Sequence, residues 1–219
     1  GVAEVGAHRD EDERGERIER HAEGPGERRL LASQQQERHA HEGEEAPEHR
    51  GRELHHRLES VLLRGAEGHI EVLIDAPESV RGVALVCHPH PLFGGANTNK
   101  VAHTLARSFR DLGFAAIRPN FRGVGQSAGE HDEGNGETED MLSVITWAQS
   151  RWGSMPLALA GFSFGGYVQT RIANRLANGI APPRQLVLVG MAAGETTGSA
   201  RHYETPPVPK SMPTLLIHG

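Results

Sequence analysis

Residues 157–169, LALAGFSFGGYVQ, carry an apolar run onto a serine flanked by glycines, Gly161-Phe162-Ser163-Phe164-Gly165. A serine hydroxyl does nucleophilic chemistry when a turn presents it to a substrate, a base takes its proton and N–H groups receive the negative charge that develops. The G-x-S-x-G spacing alone is weak, because a chain with 27 Gly meets it by chance at an appreciable rate. Its setting gives it weight. The stretch follows a strand-like run and opens a helix-like one, the strand–turn–helix context that lifts a serine above a sheet. Glycine on both sides fits that context, since a Cβ at either position would meet the neighbouring strand or helix. The competing use of such a serine is to N-cap the helix after a Gly-rich turn.

A second stretch, Cys87 to Gly95 (CHPHPLFGG), follows the apolar run GVALVC and precedes a helix. A loop so placed can offer a backbone N–H to an oxyanion. Pro89 and Pro91 have no N–H, which leaves His90, Leu92 or Phe93; His90 is the first choice and Leu92 the second. A metal site built from Cys87, His88 and His90 is disfavoured, because near neighbours on an extended chain point in alternating directions, and Cys87 reads as a small buried apolar residue. His88 and His90 lie near enough to the serine to be weighed as substitute bases. A third stretch, Asn120 to Gly129 (NFRGVGQSAG), has a G-x-G without the third glycine of a phosphate loop. It reads as a turn beside the site, with Arg122 and Ser127 structural.

The elements that must hold these stretches alternate. An antiparallel pair over 61–63 and 69–75 is followed by strands over 82–87, 114–119, 156–161, 185–190 and 214–219. Helices are predicted over 99–112, 137–152 and 167–177. In the first of them Val101, Leu105, Phe109 and Leu112 form one apolar stripe, with Gly113 at the C-cap position. Continuous apolar strands alternating with amphipathic helices imply an α/β fold of three layers, a mostly parallel sheet with helices on both faces. Functional groups then gather at the carboxyl ends of the strands, where all three stretches fall.

Before this domain the composition changes. Residues 1–59 hold sixteen Asp and Glu against ten Arg, so the whole formal charge of −6 lies there, and they contain almost nothing apolar. A disordered low-complexity tail over 1–59 is expected, followed by a domain over 60–219. The seven histidines of the tail have no ligand spacing, so no metal is expected there. The near-neutral domain has no basic patch for nucleic acid. No run in the chain is long and apolar enough for a membrane span, and a lone cysteine forms no intramolecular disulfide, so a cytoplasmic location is expected.

Taken in order, the HPHP loop, the R-G-x-G-x-S turn and the G-x-S-x-G serine resemble the α/β-hydrolase superfamily, and more narrowly a bacterial group of small predicted hydrolases. The likeness covers residues 60–219. It implies an α/β-hydrolase fold and a serine hydrolase that cleaves an ester, thioester or related acyl bond of a small molecule through an acyl-enzyme. Ser163 would be the nucleophile, Phe164 and His90 or Leu92 the oxyanion donors, and no cofactor is implied. In that pattern the acid follows the strand here written TLLIHG and the histidine comes later, so both would lie beyond Gly219 and His218 is neither. The domain would then be incomplete at its C-terminus and the chain by itself inactive. The alternative is a non-catalytic interaction module on the same fold. The polar segment 191–210 is too short for a large lid. The acyl preference and the oligomeric state stay open.

The tail reading has a direct check. Ordering each residue costs about 1–2 kcal/mol of backbone entropy that residues 1–55 have little apolar area to offset. Their amides are expected to exchange with solvent at the unprotected rate, and protection there would refute the reading.

Overall fold

The computed structural model describes residues 56–179, 181–195 and 202–218. The chain divides into units Gly1–Gly51 and Arg52–Gly219, and every described residue lies in the second. Of the expected tail, residues 1–55 lie outside the described residues. Its last four do not: they open the first strand, which begins at His56.

Strand β1 (His56–Arg64) and β2 (His69–Pro77) form an antiparallel hairpin, and β3 (Gly82–Cys87) leads through a 3-10 turn (Pro91–Phe93) into α1 (Lys100–Asp111). Then come β4 (Phe114–Pro119), α2 (Asn135–Trp152), β5 (Leu157–Phe162), α3 (Phe164–Leu176) and β6 (Gln185–Val189). A short antiparallel ladder of β7 (Gly194–Glu195) and β8 (His202–Tyr203) precedes β9 (Thr214–Ile217). The main sheet has seven strands in the order β1-β2-β4-β3-β5-β6-β9. From β4 to β9 every neighbouring pair is parallel, while β1 and β2 run against their neighbours. This is the α/β-hydrolase architecture that the motifs imply.

Side-chain alternation along the strands divides the core in two. Leu85, Ile117, Leu159 and Leu186 point to the face covered by α2 and α3, where they meet Met141, Val144, Val168 and Ile172. Ala84, Val86, Ala116, Ala158 and Ala160 point to the face covered by α1. Because that face offers mostly alanines, the helix on it settles close and buries small residues of its own, Ala102 and Ala106, with Phe109. The predicted stripe is therefore rotated: Phe109 is buried, Val101 and Leu105 are half-buried, and Leu112 is 54% exposed. Hydrophobicity alone favours the largest aliphatic residues, whereas the fit to an alanine surface selects the smallest.

The early start of β1 has a comparable cause. It is an edge strand whose even positions, Leu58 and Leu62 among them, face solvent, so its sequence lacks the apolar run of a buried strand and only the pairing with β2 marks it. Glu59, read as the end of the tail, pairs Ile74 in the ladder and meets Arg151 of α2 at 2.7 Å.

Helix α3 starts at Phe164, three residues before the expected Tyr167, and runs hard against the sheet. The fully buried Gln169 donates from Nε2 to the carbonyls of Leu85 and Ala160, both at 2.9 Å, stitching the helix to β3 and β5. A Cβ added at Gly165 would run into the carbonyls of Cys87 and His88. Gly165→Ala is therefore expected to cost about 3 kcal/mol or more in urea unfolding. Gly94→Ala is the control. Gly94 has φ 76° and nothing within 4 Å of an added Cβ, so it is expected to lose only the left-handed penalty of about 1–2 kcal/mol. Equal losses at the two positions would sink the packing argument.

Candidate active site

Strand β5 ends at Phe162, α3 begins at Phe164, and Ser163 makes the entire turn between them at φ 54° and ψ −118°. A β-carbon in that region costs on the order of 1–3 kcal/mol and persists only when the surroundings over-determine it. Here they do. Ser163 N–H donates to Val189 O at 2.9 Å, and Ser163 O accepts from the N–H groups of Gly166, Tyr167 and Ala192 at 2.9, 3.2 and 3.3 Å. The side chain makes no capping hydrogen bond, so the helix is capped through the backbone and the hydroxyl is left for other use. Among the described residues no side chain hydrogen-bonds to that hydroxyl. The glycine at the other flank is needed as well, since a Cβ on Gly161 would strike the Gly165 backbone.

The contact of Gly165 with Cys87 and His88 sets the first turn of α3 against the β3–α1 loop. At that turn the Phe164 N–H is one of the helix's orphan donors, at the positive end of the helix dipole. Opposite it, Pro91–Phe93 forms a turn wound around His90. Phe93 N–H and Gly95 N–H both donate to His90 O at 3.1 Å, Gly94 N–H donates to Pro91 O at 3.2 Å, and Leu92 N–H donates to the His90 ring at Nδ1, 3.2 Å away. Leu92, the second choice for the oxyanion, thus has its N–H spent within the turn, as does Phe93. His90, the first choice, heads the turn that takes up both of these N–H groups.

His88 is fully buried and binds at both ring nitrogens. Nε2 accepts the Phe121 N–H at 3.0 Å, which places the proton on Nδ1, and Nδ1–H donates to Pro89 O at 2.7 Å. Burial pushes its pKa down to about 4. It is a neutral clamp between the β3–α1 and β4–α2 loops and has no nitrogen to offer as a base. Cys87 is buried too: burial drives its thiol pKa upward, and its sulfur takes a 3.2 Å hydrogen bond from Gln169. Cys87 and His88 are thus committed to the protein and not to a metal.

The third stretch is a tied turn. The Arg122 guanidinium forks onto Asp140 of α2 at 2.8 and 3.0 Å, with both residues buried. Ser127 Oγ donates to Asn120 O and accepts the Glu71 N–H, both at 2.9 Å. Asn120 Oδ1 in turn accepts the Asn97 N–H at 2.8 Å, joining this loop to the entry of α1.

The structure adds residues that the sequence did not single out. The His131 ring stands 4.6 Å from the His90 ring and 5.3 Å from the Phe164 ring, and its Nδ1 lies 2.7 Å from Glu137 Oε1. Glu137 has no exposed surface and also accepts the N–H groups of Asp132 and Gly134 at 3.0 and 2.9 Å. In the sequence it passes for an ordinary acid in the first turn of a helix. Tyr203, from β8, packs 5.9 Å from Phe164.

The His88 clamp makes stability depend on pH. The unfolded imidazole titrates near 6.5 and the folded one near 4, so between these values the unfolded chain holds more protons and stability falls as pH falls. His88→Gln stays neutral throughout. Its deficit against the wild type, read from urea unfolding at pH 7 and pH 4.5, is expected to shrink by about 2 kcal/mol; a constant deficit would place the titration elsewhere.

Residues 32–182 match the X-Pro dipeptidyl-peptidase family (S15). An α/β serine hydrolase without a lid from Xanthomonas campestris superposes with a TM-score of 0.63 at 36% identity, over 74% of this chain and 71% of that one. An α/β serine hydrolase homologue from Coxiella burnetii superposes with a TM-score of 0.60 at 36% identity, over 73% of each chain. An uncharacterized protein of Rickettsia prowazekii is 35% identical over 54% of this chain and 50% of its own. The mouse lysophosphatidylserine lipase is 32% identical over 61% of this chain and 33% of its own. The chain thus spans half the length of the first of these curated relatives and a third of the second. With the elbow, the loop and the sheet order in agreement, the chain belongs to the X-Pro dipeptidyl-peptidase (S15) family within the α/β-hydrolase superfamily.

Proposed function

We propose that the protein is a serine hydrolase that cleaves an ester, thioester or related acyl bond through an acyl-enzyme on Ser163. One observation carries the reading: a non-glycine residue is held at φ 54° between β5 and α3 by four backbone hydrogen bonds, with its hydroxyl unused by the helix. Strain of this kind serves to present a side chain. Ser163 Oγ attacks the substrate carbonyl carbon as a base takes the hydroxyl proton. The carbonyl oxygen becomes an oxyanion and accepts the N–H groups of Phe164 and His90. Collapse expels the alcohol or thiol, which leaves with the proton, and water then releases the acid by the same route. The names of the relatives, a lipase and a dipeptidyl-peptidase, share this attack on a carbonyl while differing in the bond cut.

In the full-length protein, Ser163→Ala is expected to abolish fluorophosphonate labelling and to lower kcat for p-nitrophenyl acetate by about 10⁶-fold, the scale of losing a triad nucleophile. Cys87→Ala is expected to keep both. Labelling that survives Ser163→Ala and is lost in Cys87→Ala would overturn the assignment.

The oxyanion role of His90 is separable from its ring. Its φ of −55° is close to that of proline, so His90→Pro removes the N–H with little backbone adjustment, while His90→Ala removes only the ring. His90→Pro is expected to fall a further 10²–10³-fold, roughly, below His90→Ala in kcat, the usual loss for one oxyanion donor. Equal rates for the two variants would remove His90 from the hole.

A further inference from the structure

Strand β1 ends the main sheet on one side, and among the described residues no strand pairs its outer edge. That edge is long and regular. All nine residues from His56 to Arg64 pair with β2 in one register without a bulge, whereas β2 meets β4 over the four pairs from Val72 to Asp75. The hairpin is therefore longer than the ladder that anchors it. Edge strands are ordinarily guarded by proline, lysine or a bulge. The β1 sequence HRLESVLLR has none of these, and its one carboxylate, Glu59, is tied to Arg151.

The turn decides which backbone groups face outward. Gly65 N–H donates to Gly68 O across the hairpin, so these two form a hydrogen-bonded pair and the pairs alternate from there. Leu63, Val61 and Glu59 exchange hydrogen bonds with β2, while Leu62, Ser60 and Leu58 turn their N–H and C=O groups away from it. The far side of β2 keeps the same alternation. Glu71 O, opposite Leu62, accepts Asn120 N–H, and His69 O, opposite Arg64, accepts Ala128 N–H, both at 2.8 Å. The side chains of the same residues lie on an uncovered face. Leu58 is 64% exposed and Leu62 is 49% exposed, and Ser60 between them pairs Leu73, so the two leucines flank Leu73 on the diagonals.

An edge of this kind is its own complement. About Ser60 the outward positions read Leu-Ser-Leu in either direction, so a second copy turned by 180° sets Ser60 against Ser60 and each Leu58 against the second copy's Leu62. Those three pairs exchange six backbone hydrogen bonds and merge the two leucine clusters. A shift of two residues along the strand breaks both direct leucine pairs. We infer that β1 is an interface between two copies of this chain, joined antiparallel about Ser60 into one continuous sheet. The pairing consumes the β1 edge of both copies, so it closes at two. Two zipped edges bury on the order of 1,000 Å² in total, the low end for a specific interface, which makes the dimer reversible with a Kd of roughly 1–100 μM. Nothing in this inference depends on the role of Ser163.

Sedimentation velocity of the full-length protein from about 1 to 200 μM tests it, with the wild type expected to pass from monomer to dimer across that range. Ser60→Pro removes an outward N–H that β2 does not use, which an edge strand tolerates. Leu58→Lys/Leu62→Lys places four ammonium groups in the merged cluster. Each is expected to weaken the dimer at least about tenfold, and both act on exposed side chains, so the monomer keeps its fold. Leu92→Lys, the same exchange on an exposed turn elsewhere, is expected to leave the dimer intact. Oxidation checks the register. Ser60→Cys is expected to form an intermolecular disulfide, because the paired Cα atoms stand about 5.5 Å apart, and Arg64→Cys, remote from its own copy, is expected to form none. A wild type that stays monomeric, a dimer that survives both β1 variants, or a disulfide through position 64 in place of 60 overturns the inference.

Discussion

Every part of the site depends on one close approach, the pressing of the first turn of α3 onto the backbone of β3. The fit is tight enough that Gly165 admits no side chain beside the carbonyls of Cys87 and His88, and Gly161 admits none beside Gly165. A chain that must leave β5 and enter a helix in that space has one residue in which to turn, and Ser163 makes the turn at φ 54°. Its cost of about 1–3 kcal/mol is offset by the four backbone hydrogen bonds around it, including the one to Val189 that fastens the elbow to β6. The same approach puts the helix N-terminus beside the β3–α1 loop. Helix dipole, orphan N–H and the Ser163 hydroxyl thus arrive together as consequences of one packing fit.

The loops around the elbow are held by a different means. They lie where the sheet ends, and beside the buried Phe121 their order comes from buried polar groups with partners. His88 joins the β3–α1 loop to Phe121, Asn120 joins that loop to Asn97, and Arg122 joins it to Asp140 of α2. Each bond is worth about 1 kcal/mol net, but the cost of leaving either partner buried and unpaired is larger. That asymmetry makes the network specify one arrangement. It also explains why His88 stays neutral: its two neighbours need one donor and one acceptor, and a protonated ring would offer two donors.

Much of this was legible in the sequence, for identifiable reasons. Strands β3 and β4 match their expected bounds because continuous apolar runs ended by polar or Gly and Pro residues have few other solutions. The elbow was legible because its glycines are demanded by sterics and not by preference. What escaped depends on partners distant in the chain. The burial of Ala102 and Ala106 follows from alanines on three strands. The start of β1 at His56 follows from its pairing with β2, whereas composition marks the same residues as tail. The spent N–H of Leu92 depends on which way a neighbouring imidazole turns. Glu137 passes for an ordinary first-turn acid in the sequence, and its burial against His131 has no periodic signature.

These two kinds of restraint divide the labour within the site. On the proposed reading the oxyanion is received by backbone groups, the N–H of Phe164 and that of His90, whose positions are fixed by packing and by the turn. Side-chain identity at those two positions matters to the fold, since Phe164 is fully buried and contacts Phe121, Tyr167 and Tyr203, but not to the donor itself. Leu92 and Phe93 are the reverse case: their backbone N–H groups donate within the turn, and their side chains are largely exposed.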